Sequence, residues 1–199
     1  MRVGCVVMAS GEGKRFRASG GAGNKLLACA GGLPLVARTV QAVPAELADV
    51  VVPTCWDDVA RVVAENQPSA RIAFPGGPMR SDTVRAGLAF GQGIWDACLF
   101  LPGDQPLVSR ESFYALCSAH AQDPARAYRL SWDGVAASPV LFPRSCFGAL
   151  MALSGKDGGA SILRAGRVAT GLVDAAFEHE LWDVDTVGDL ARIERALRL

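Results

Sequence analysis

The sequence has few of the features that mark secreted, membrane-spanning or zinc-binding proteins. Its six cysteines are scattered with no CxxC pair, and it has only two histidines. Zinc sites and Ser-His-Asp centres depend on these residue types, so both are disfavoured. No apolar run approaches the roughly 20 residues of a membrane span, and the first residues lack the pattern of a signal peptide. We therefore expect a cytoplasmic protein with reduced thiols and no membrane partner.

An excess of charge of one sign is also missing. Lys plus Arg equals Asp plus Glu at 20 each, so no net basic field favours nucleic acid or an anionic membrane as a partner. Any anion must therefore be bound by a local cluster of residues. The 199 residues are 50% hydrophobic and 20% charged, which is ordinary for a globular protein. This length predicts a single domain that spans residues 1–199 and buries a substantial core.

Short apolar runs alternate with stretches of helical periodicity along the chain. This alternation predicts an α/β fold with a mostly parallel sheet covered on both faces, in which ligands bind outside the carboxyl ends of the strands. The predicted strands cover residues 2–9, 49–53, 71–74, 97–102, 127–131, 138–142 and 168–173. The predicted helices cover residues 34–43, 56–66, 80–90, 109–121, 145–153, 158–165 and 186–198. Between the first strand and the first helix, the Gly-rich residues 17–24 predict a loop.

The first predicted strand runs directly into Ser-Gly-Glu-Gly-Lys-Arg-Phe at residues 10–16. Glycines let the backbone approach a polyphosphate closely, and the cations there and at Lys25 can neutralise its charge. The segment is not a P-loop, because its Gly-Lys is not followed by Ser or Thr. Phe16 stands where the dinucleotide fingerprint needs a third Gly, which disfavours a Rossmann oxidoreductase. The pattern therefore predicts a phosphate-binding loop, with a plain turn carrying surface charges as the alternative.

Two acidic residues follow positions where ligands bind in such sheets. Asp104 comes after the apolar run 97–100, and Asp185 precedes the last predicted helix. Carboxylates from two distant segments can hold Mg²⁺ against nucleotide phosphates. The alternatives are a turn bracketed by prolines for Asp104 and a helix cap for Asp185. A further glycine turn opens a helix at residues 76–84, where the donors suit a ribose or a phosphate, or only cap the helix.

Taken in order, these segments resemble the MobA-like nucleotidyltransferases, and within them the molybdenum cofactor cytidylyltransferases. The resemblance extends over nearly the whole chain. It implies a Rossmann-like three-layer sandwich of the nucleotide-diphospho-sugar transferase type. The segments that carry it are Met-Ala-Ser-Gly-Glu-Gly-Lys-Arg-Phe at 8–16, Asn-Lys-Leu-Leu at 24–27, Gly-Asp-Gln-Pro-Leu at 103–107, Ser-Pro-Val-Leu-Phe-Pro at 138–143, and Asp-Val-Asp-Thr at 183–186 followed by Asp189-Leu190.

The resemblance also implies roles for individual residues in a Mg²⁺-dependent transfer of CMP from CTP to a phosphorylated acceptor, expected to be molybdopterin. Catalysis would depend on Arg15, Lys25 and Asp104, and the metal on Asp104 and Asp185. The acceptor would contact Gln105, Pro106, Ser138 and Pro139. The nucleotide would contact Ala9, Ser10, Gly11, Glu12, Gly13, Lys14, Arg15, Lys25, Gly76, Arg80, Thr83 and Gly103.

Some positions depart from the family pattern. Arg17 stands where a Gly is usual, Ser138 stands where a His is usual, and Val187-Gly188 replaces Pro-Glu. Guanylyltransferases of the family tend to have two glycines where this chain has Ser10-Gly11. A side chain at that point takes room that a purine needs, so CTP is favoured over GTP.

Three other functions remain open at this point. Within the same class, the chain could be a GTP-using guanylyltransferase or a methylerythritol- or sugar-phosphate cytidylyltransferase. The methylerythritol-phosphate enzyme is suggested by Arg-Ser-Asp-Thr-Val at 80–84, which is similar to an Arg-x-Asp-Ser-Val stretch in that group. In a different class, it could be a nucleotide-binding module without turnover. Residues 17–24 have the composition of a lid that closes over the nucleotide.

Overall fold

A computed structural model describes residues 1–46 and 48–198 of the chain. Every predicted strand and helix is found, with its ends shifted by a few residues at most. The strands are β1 (Val3–Met8), β2 (Cys29–Ala30), β3 (Leu33–Pro34), β4 (Ala48–Pro53), β5 (Arg71–Ala73), β6 (Ala97–Pro102), β7 (Ala127–Trp132), β8 (Val135–Pro143) and β9 (Thr170–Asp174). The helices are α1 (Lys14–Ala18), α2 (Leu35–Ala42), α3 (Asp57–Asn66), α4 (Arg80–Ala89), α5 (Arg110–Gln122), α6 (Phe147–Met151), α7 (Gly159–Arg164) and α8 (Val187–Ala196).

Seven strands form one sheet in the order β5-β4-β1-β6-β8-β7-β9. β8 pairs antiparallel with both of its neighbours, and the other pairings are parallel. The predicted α/β fold with a mostly parallel, mixed sheet is therefore confirmed. Because β1 and β6 are adjacent and parallel, the segments that follow them emerge at the same edge of the sheet.

Helices cover both faces of this sheet, as the alternating pattern predicted. On one face, Val36, Val59 and Phe113 of α2, α3 and α5 pack in a cluster with the inward residues of β1 and β4. On the other face, Leu88 of α4 and Leu150 of α6 pack in a second cluster that includes Val6. Burial of these apolar side chains from water is the main force that holds the three layers together.

A third, smaller cluster lies where the two ends of the chain meet. Phe16 of α1 packs with Leu35, Val184 and Ile193, all of them buried. The helix α1 and the hairpin of β2 and β3 were not predicted, because five- and two-residue elements are too short to show a periodic pattern. Among the described residues, no helix is both long enough and apolar enough to cross a bilayer.

Candidate active site

A cavity of about 640 Å³ opens at the edge of the sheet where β1 and β6 end. This volume is in the usual range for small-molecule sites. The cavity wall contains most of the predicted site residues. They are Ser10, Gly11, Glu12, Gly13, Lys14, Arg15, Lys25, Arg80, Thr83, Asp104, Ser138 and Asp185.

Lys25 is the centre of the charged wall. Its Nζ lies 2.6 Å from Asp104 Oδ2 and 3.3 Å from Asp185 Oδ1, and its side chain is only 10% exposed. Partial burial alone would lower the pKa of Lys25, but the carboxylates of Asp104 and Asp185 outweigh it, and the pKa lies above its ordinary value. The ammonium group is therefore charged at neutral pH, so the site holds a fixed positive charge beside its carboxylates.

The local fold fixes Lys25 in this position. Lys25 begins a 3-10 turn, Lys25–Leu27, in which the Asn24 side chain accepts a hydrogen bond from the Leu26 N–H at 3.0 Å. Gly13 lies against it in the left-handed region, with φ of 62°, and a Cβ there would be 3.1 Å from the Lys25 Cβ. A glycine at position 13 therefore allows the opening loop and Lys25 to pack closely.

Asp104 is held by the chain on either side of it. The Gly103 N–H donates to the Met8 carbonyl at 3.0 Å, and the Thr39 hydroxyl donates to the Gly103 carbonyl at 3.1 Å. A Cβ on Gly103 would lie 2.9 Å from the Met8 carbonyl oxygen. Gly103 therefore allows β6 to continue close beside β1 and bring Asp104 to the cavity.

The acidic segment before α8 is fixed by a helix cap. Thr186 Oγ1 accepts from the Asp189 N–H at 3.2 Å, and Asp189 Oδ2 accepts from the Thr186 N–H at 2.7 Å. Partial burial opposes ionisation of Asp189, but the hydrogen bonds from Thr186 and the Asp185 N–H outweigh it and lower its pKa. Because Thr186 and Asp189 form this capping box, the Asp185 side chain does not cap the helix. The Arg15 Nη2 lies 2.8 Å from Asp185 Oδ2.

Asp183 adds a third carboxylate to Asp104 and Asp185. One ligand oxygen of each lies within 4.8 Å of the others. Partial burial of the Asp183 carboxyl, followed by repulsion from Asp104 and Asp185, raises its pKa, although Lys25 opposes this. The cluster thus has more negative charge than Lys25 offsets. Carboxylate oxygens so arranged suit a hard divalent cation.

The loop between β1 and α1 presents unpaired backbone donors. Within residues 1–46 and 48–198, the N–H groups of residues 10–13 have no hydrogen-bond acceptor in the protein. Lys14 pairs with Glu12 at 2.7 Å, and that pairing lowers the pKa of Glu12. Free backbone donors beside cations are what a phosphate group requires.

Arg80 and Thr83 lie on the first turns of α4. Thr83 is buried and its hydroxyl donates to the Met79 carbonyl at 3.4 Å. Gly158 lies against Arg80, since a Cβ there would be 2.7 Å from the Arg80 Cδ. The segment that leads into α7 therefore forms the cavity wall next to α4.

Other predicted residues lie outside the cavity lining. Gln105 is 4% exposed, and its side-chain N–H donates to the Leu181 carbonyl at 3.2 Å, so it is part of the interior. The backbone of Ala9 is used by the fold, because its N–H donates to the Pro53 carbonyl and its carbonyl accepts from Thr54. The structure brings none of the following to the cavity wall: Ala9, Gly76, Gly103, Gln105, Pro106 and Pro139.

Several lining residues were missed from the sequence. Asp183 could have been found, because it lies two positions before Asp185 in the same segment. Arg129 on β7, Phe100 on β6 and Gly159 on α7 gave no such signal, since only the sheet order and the packing of α7 bring them to the cavity.

Comparison with known proteins gives the same fold and a partial sequence match. The chain is 29% identical over 103 residues to the purine catabolism protein PucB of Bacillus subtilis strain 168, an alignment covering 51% of this chain and 49% of PucB. The chain thus spans about half the length of that curated relative.

Two solved structures resemble the fold over almost its full length. A nucleotidyl transferase from Methanothermobacter thermautotroptrophicus superposes with a TM-score of 0.80 at 21% identity, covering 99% of this chain and 98% of that one. Rv0371C of Mycobacterium tuberculosis H37Rv in complex with manganese superposes with a TM-score of 0.76 at 19% identity, covering 98% of this chain and 100% of that one. At such identities these likenesses show the fold.

The family itself is shown by the sequence. Residues 5–170 match the model of the MobA-like NTP transferase domain, and this range includes most of β1, the opening loop, Lys25 and Asp104. This match confirms the resemblance to the MobA-like nucleotidyltransferases, and the chain belongs to the family of MobA-like NTP transferase domains.

Proposed function

We propose that the protein transfers CMP from CTP to a phosphorylated acceptor, molybdopterin, with release of pyrophosphate. The observation that best supports this proposal is that the Lys25 ammonium lies between Asp104 and Asp185 on the wall of an open cavity. An oxygen of the acceptor phosphate would form a bond to the α-phosphorus. The bond from that phosphorus to the oxygen bridging to the β-phosphorus would break, and pyrophosphate would leave with its electron pair. Positioning and charge stabilisation supply most of the rate in such transfers.

The carboxylate cluster supports a divalent cation, which we propose to be Mg²⁺. Asp104, Asp183 and Asp185 would hold it, because their oxygens already lie within 4.8 Å of one another. Burial and then the negative charges of Asp104 and Asp185 raise the pKa of Asp183, and a bound cation would relieve the repulsion. When bound, the ion would supply positive charge to the phosphate oxygens. The manganese complex of Rv0371C supports a divalent ion in this fold.

The chain's own cations would act on the triphosphate. Lys25 and Arg15 would offset the charge that develops on the α-phosphate and the leaving pyrophosphate. The free N–H groups of residues 10–13 would cradle the β- and γ-phosphates, and Arg80 and Thr83 would meet the base or the ribose. Each donor of this kind contributes about 3–4 kcal/mol at a transition state.

The side chain of Ser10 supports CTP as the nucleotide. Its hydroxyl donates to the Pro53 carbonyl at 3.0 Å, which fixes a side chain on the cavity wall between the ends of β1 and β4. A fixed side chain there reduces the room for the larger purine ring of GTP.

The apolar part of the cavity supports a planar acceptor over a sugar. Phe100, Val140 and Leu163 line it while remaining partly exposed, and Phe142 packs edge-on against Phe100 with ring centroids 5.9 Å apart. The apolar side chains of Phe100, Val140 and Leu163 offer no hydrogen bonds to the hydroxyls of a methylerythritol or sugar acceptor. The flat ring of a pterin would bury apolar area there.

One residue of the segment that suggested the methylerythritol enzymes, Asp82, has a structural use. Asp82 accepts a hydrogen bond from the Met79 N–H at 2.9 Å and pairs with Arg85, so it caps α4. The likeness at Asp82 therefore has an explanation in helix capping and does not by itself favour a methylerythritol acceptor.

Pyrophosphate release measured over a panel of nucleotides and acceptors tests the proposal. We expect the fastest release with CTP, molybdopterin and Mg²⁺, and a product heavier than the acceptor by CMP in the mass spectrum. The assignment would be contradicted if GTP were the only nucleotide that gave release, or if methylerythritol phosphate gave release in place of molybdopterin. Tight CTP binding without release from any acceptor would indicate a nucleotide-binding module.

A further inference from the structure

The cavity has two parts on either side of Asp104. Beside β1 and β4 it is lined by the loop of residues 10–15 and by the start of α4. Over β6, β8 and β7 it is lined by Phe100, Val140 and Arg129. The first part has the free backbone donors, while the second part is largely apolar. If the first part takes the nucleotide, the second is the only lined space beside Asp104, among the described residues, that can take the body of an acceptor.

Arg129 ends a cross-strand row on the floor of the second part. Phe100 of β6 is the register partner of Val140 of β8, and Val140 is the register partner of Arg129 of β7. Directly opposed residues point to the same face of a sheet. The row therefore runs from an aromatic ring beside Asp104 to a guanidinium at the far end of the apolar floor.

The guanidinium of Arg129 is held in place and only partly used. Its Nε donates to the Ala137 carbonyl at 3.2 Å and its Nη2 to the Ala136 carbonyl at 3.1 Å. A guanidinium has five N–H bonds, so three remain. In the part of the chain that the structure describes, Arg129 has no carboxylate partner, unlike Lys14, Arg15 and Lys25 in the same cavity.

A half-buried cation with spare donors on an apolar wall favours a ligand oxygen. Leaving such donors unpaired when a ligand displaces water is costly, and a hydrogen bond from a charged donor is about twice as strong as a neutral one. The two bonds to carbonyls fix the plane of the guanidinium in advance, which lowers the entropy cost of binding.

We infer that Arg129 is an acceptor-binding residue that selects a planar ring with a carbonyl or carboxylate oxygen at the end remote from the transferred phosphate. The inference rests on the proposed function, because it assigns the second part of the cavity to the acceptor. It goes beyond that function in naming the residue that distinguishes a heterocyclic acceptor from a sugar phosphate. Acceptors with only hydroxyls at that end would leave the guanidinium poorly paired.

The test is a fluorescence titration with pterin-6-carboxylate, a planar fluorescent anion that cannot be cytidylylated. We expect Arg129→Gln to weaken its binding by about 10-fold or more, as for loss of hydrogen bonds from a charged donor to the ring carbonyl. Arg129→Lys should retain part of the affinity, because it keeps the charge. The matched control is Arg126→Gln on the same stretch of chain, whose exposed side chain pairs with Asp123 and which should bind the probe like the wild type.

CTP affinity and thermal unfolding are measured on the same variants. They distinguish a role of Arg129 in binding the acceptor from a role in stabilising the β7–β8 hairpin. We expect CTP affinity to be unchanged in all of them. The inference is overturned if Arg129→Gln binds the probe like the wild type, if the wild type does not bind it at millimolar concentration, or if Lys and Gln variants lose probe binding and CTP binding together. If the wild-type protein releases pyrophosphate but the probe binds the Arg129 variants as tightly as the wild type, this inference alone is rejected. Arg129-dependent probe binding without any pyrophosphate release would reject the proposed reaction alone.

Discussion

The backbone N–H of Val184 donates to the carbonyl oxygen of Asp104 at 3.1 Å. Val184 is fully buried in the small cluster with Phe16 and Ile193, so packing of its side chain fixes the position of this hydrogen bond. Because Val184 stands between Asp183 and Asp185, one hydrogen bond brings both of their side chains beside Asp104. The convergence of acidic residues from distant segments is therefore a property of the backbone, and substitution of single carboxylates should leave it intact.

Removal of the Lys25 ammonium should abolish most of the activity. We expect Lys25→Ala to lower turnover by roughly 100-fold or more, because a single charged donor contributes about 3–4 kcal/mol at the transition state. The measurement is the rate of pyrophosphate release at saturating substrates. Lys156→Ala is the matched control, since Lys156 is exposed and does not line the cavity. Turnover of Lys25→Ala within a few-fold of the wild type would remove Lys25 from the role.

A side chain at position 103 should disturb both stability and activity. The Cβ of Gly103→Ala would lie 2.9 Å from the Met8 carbonyl oxygen, and neither backbone can move without separating β1 from β6. We expect a loss of about 1–3 kcal/mol in the free energy of unfolding, measured in urea, and a lower kcat because Asp104 moves. Gly148→Ala is the control, since a Cβ there meets no neighbour. Equal stability of Gly103→Ala and wild type would refute the close approach.

The carboxylate of Glu180 should stabilise the turn that precedes the acidic segment. It is fully buried and accepts from the Ser109 N–H at 2.8 Å, the Ser112 hydroxyl at 2.6 Å and the Ala176 N–H at 3.0 Å. Glu180→Gln places an amide donor against these donors, and we expect a loss of about 2–4 kcal/mol. The exposed neighbour Glu178→Gln should cost less than about 0.5 kcal/mol. Urea midpoints that are alike for the two variants would argue against this network.

His120 should make the fold less stable in acid. Burial lowers the pKa of His120, although the Arg126 backbone and the carboxylates of Asp96 and Asp123 oppose the shift. The unfolded chain therefore binds the proton more readily than the folded one. Stability is fully present above the ordinary histidine pKa of about 6.5 and is lost as the pH falls through the lower, folded pKa.

Unfolding free energies at about pH 7.5 and about pH 5.5 measure this effect. We expect His120→Gln to reduce the difference between the two values, because it removes the titrating group. His179→Gln is the control, because His179 lies outside the core among Phe177 and Trp182. An unchanged pH dependence in His120→Gln would show that other groups carry it.

Much of the fold could be predicted because its elements are long and strongly periodic. The runs that became β1 and β6 are almost wholly apolar, as buried parallel strands require, and Ser109 stands at the start of α5, where its hydroxyl accepts from the Ser112 N–H at 3.2 Å. The helix α1 was missed, since residues 14–18 form a single short turn stabilised by the packing of Phe16 rather than by a pattern in the sequence.

The candidate site could be predicted only where its residues follow strands or precede helices. Asp104 and Asp185 met this condition, whereas Lys25 was identified from the resemblance of residues 24–27 to the family. The family resemblance implied that Gln105 contacts the acceptor, but its side chain points inward and donates to the Leu181 carbonyl. Arg129 was missed because nothing in a strand's sequence says which strand lies beside it.

The α/β class, the family and the order of the charged segments could all be predicted from the sequence. These depend on local patterns, namely the period of apolar residues, the glycines at turns and the residues that cap helices. Three features became visible only in the folded protein: Lys25 lies between two carboxylates, Asp183 joins them, and Arg129 ends the apolar floor. Such contacts arise from strand order and from backbone hydrogen bonds between distant segments, and these long-range interactions leave no periodic trace in the sequence.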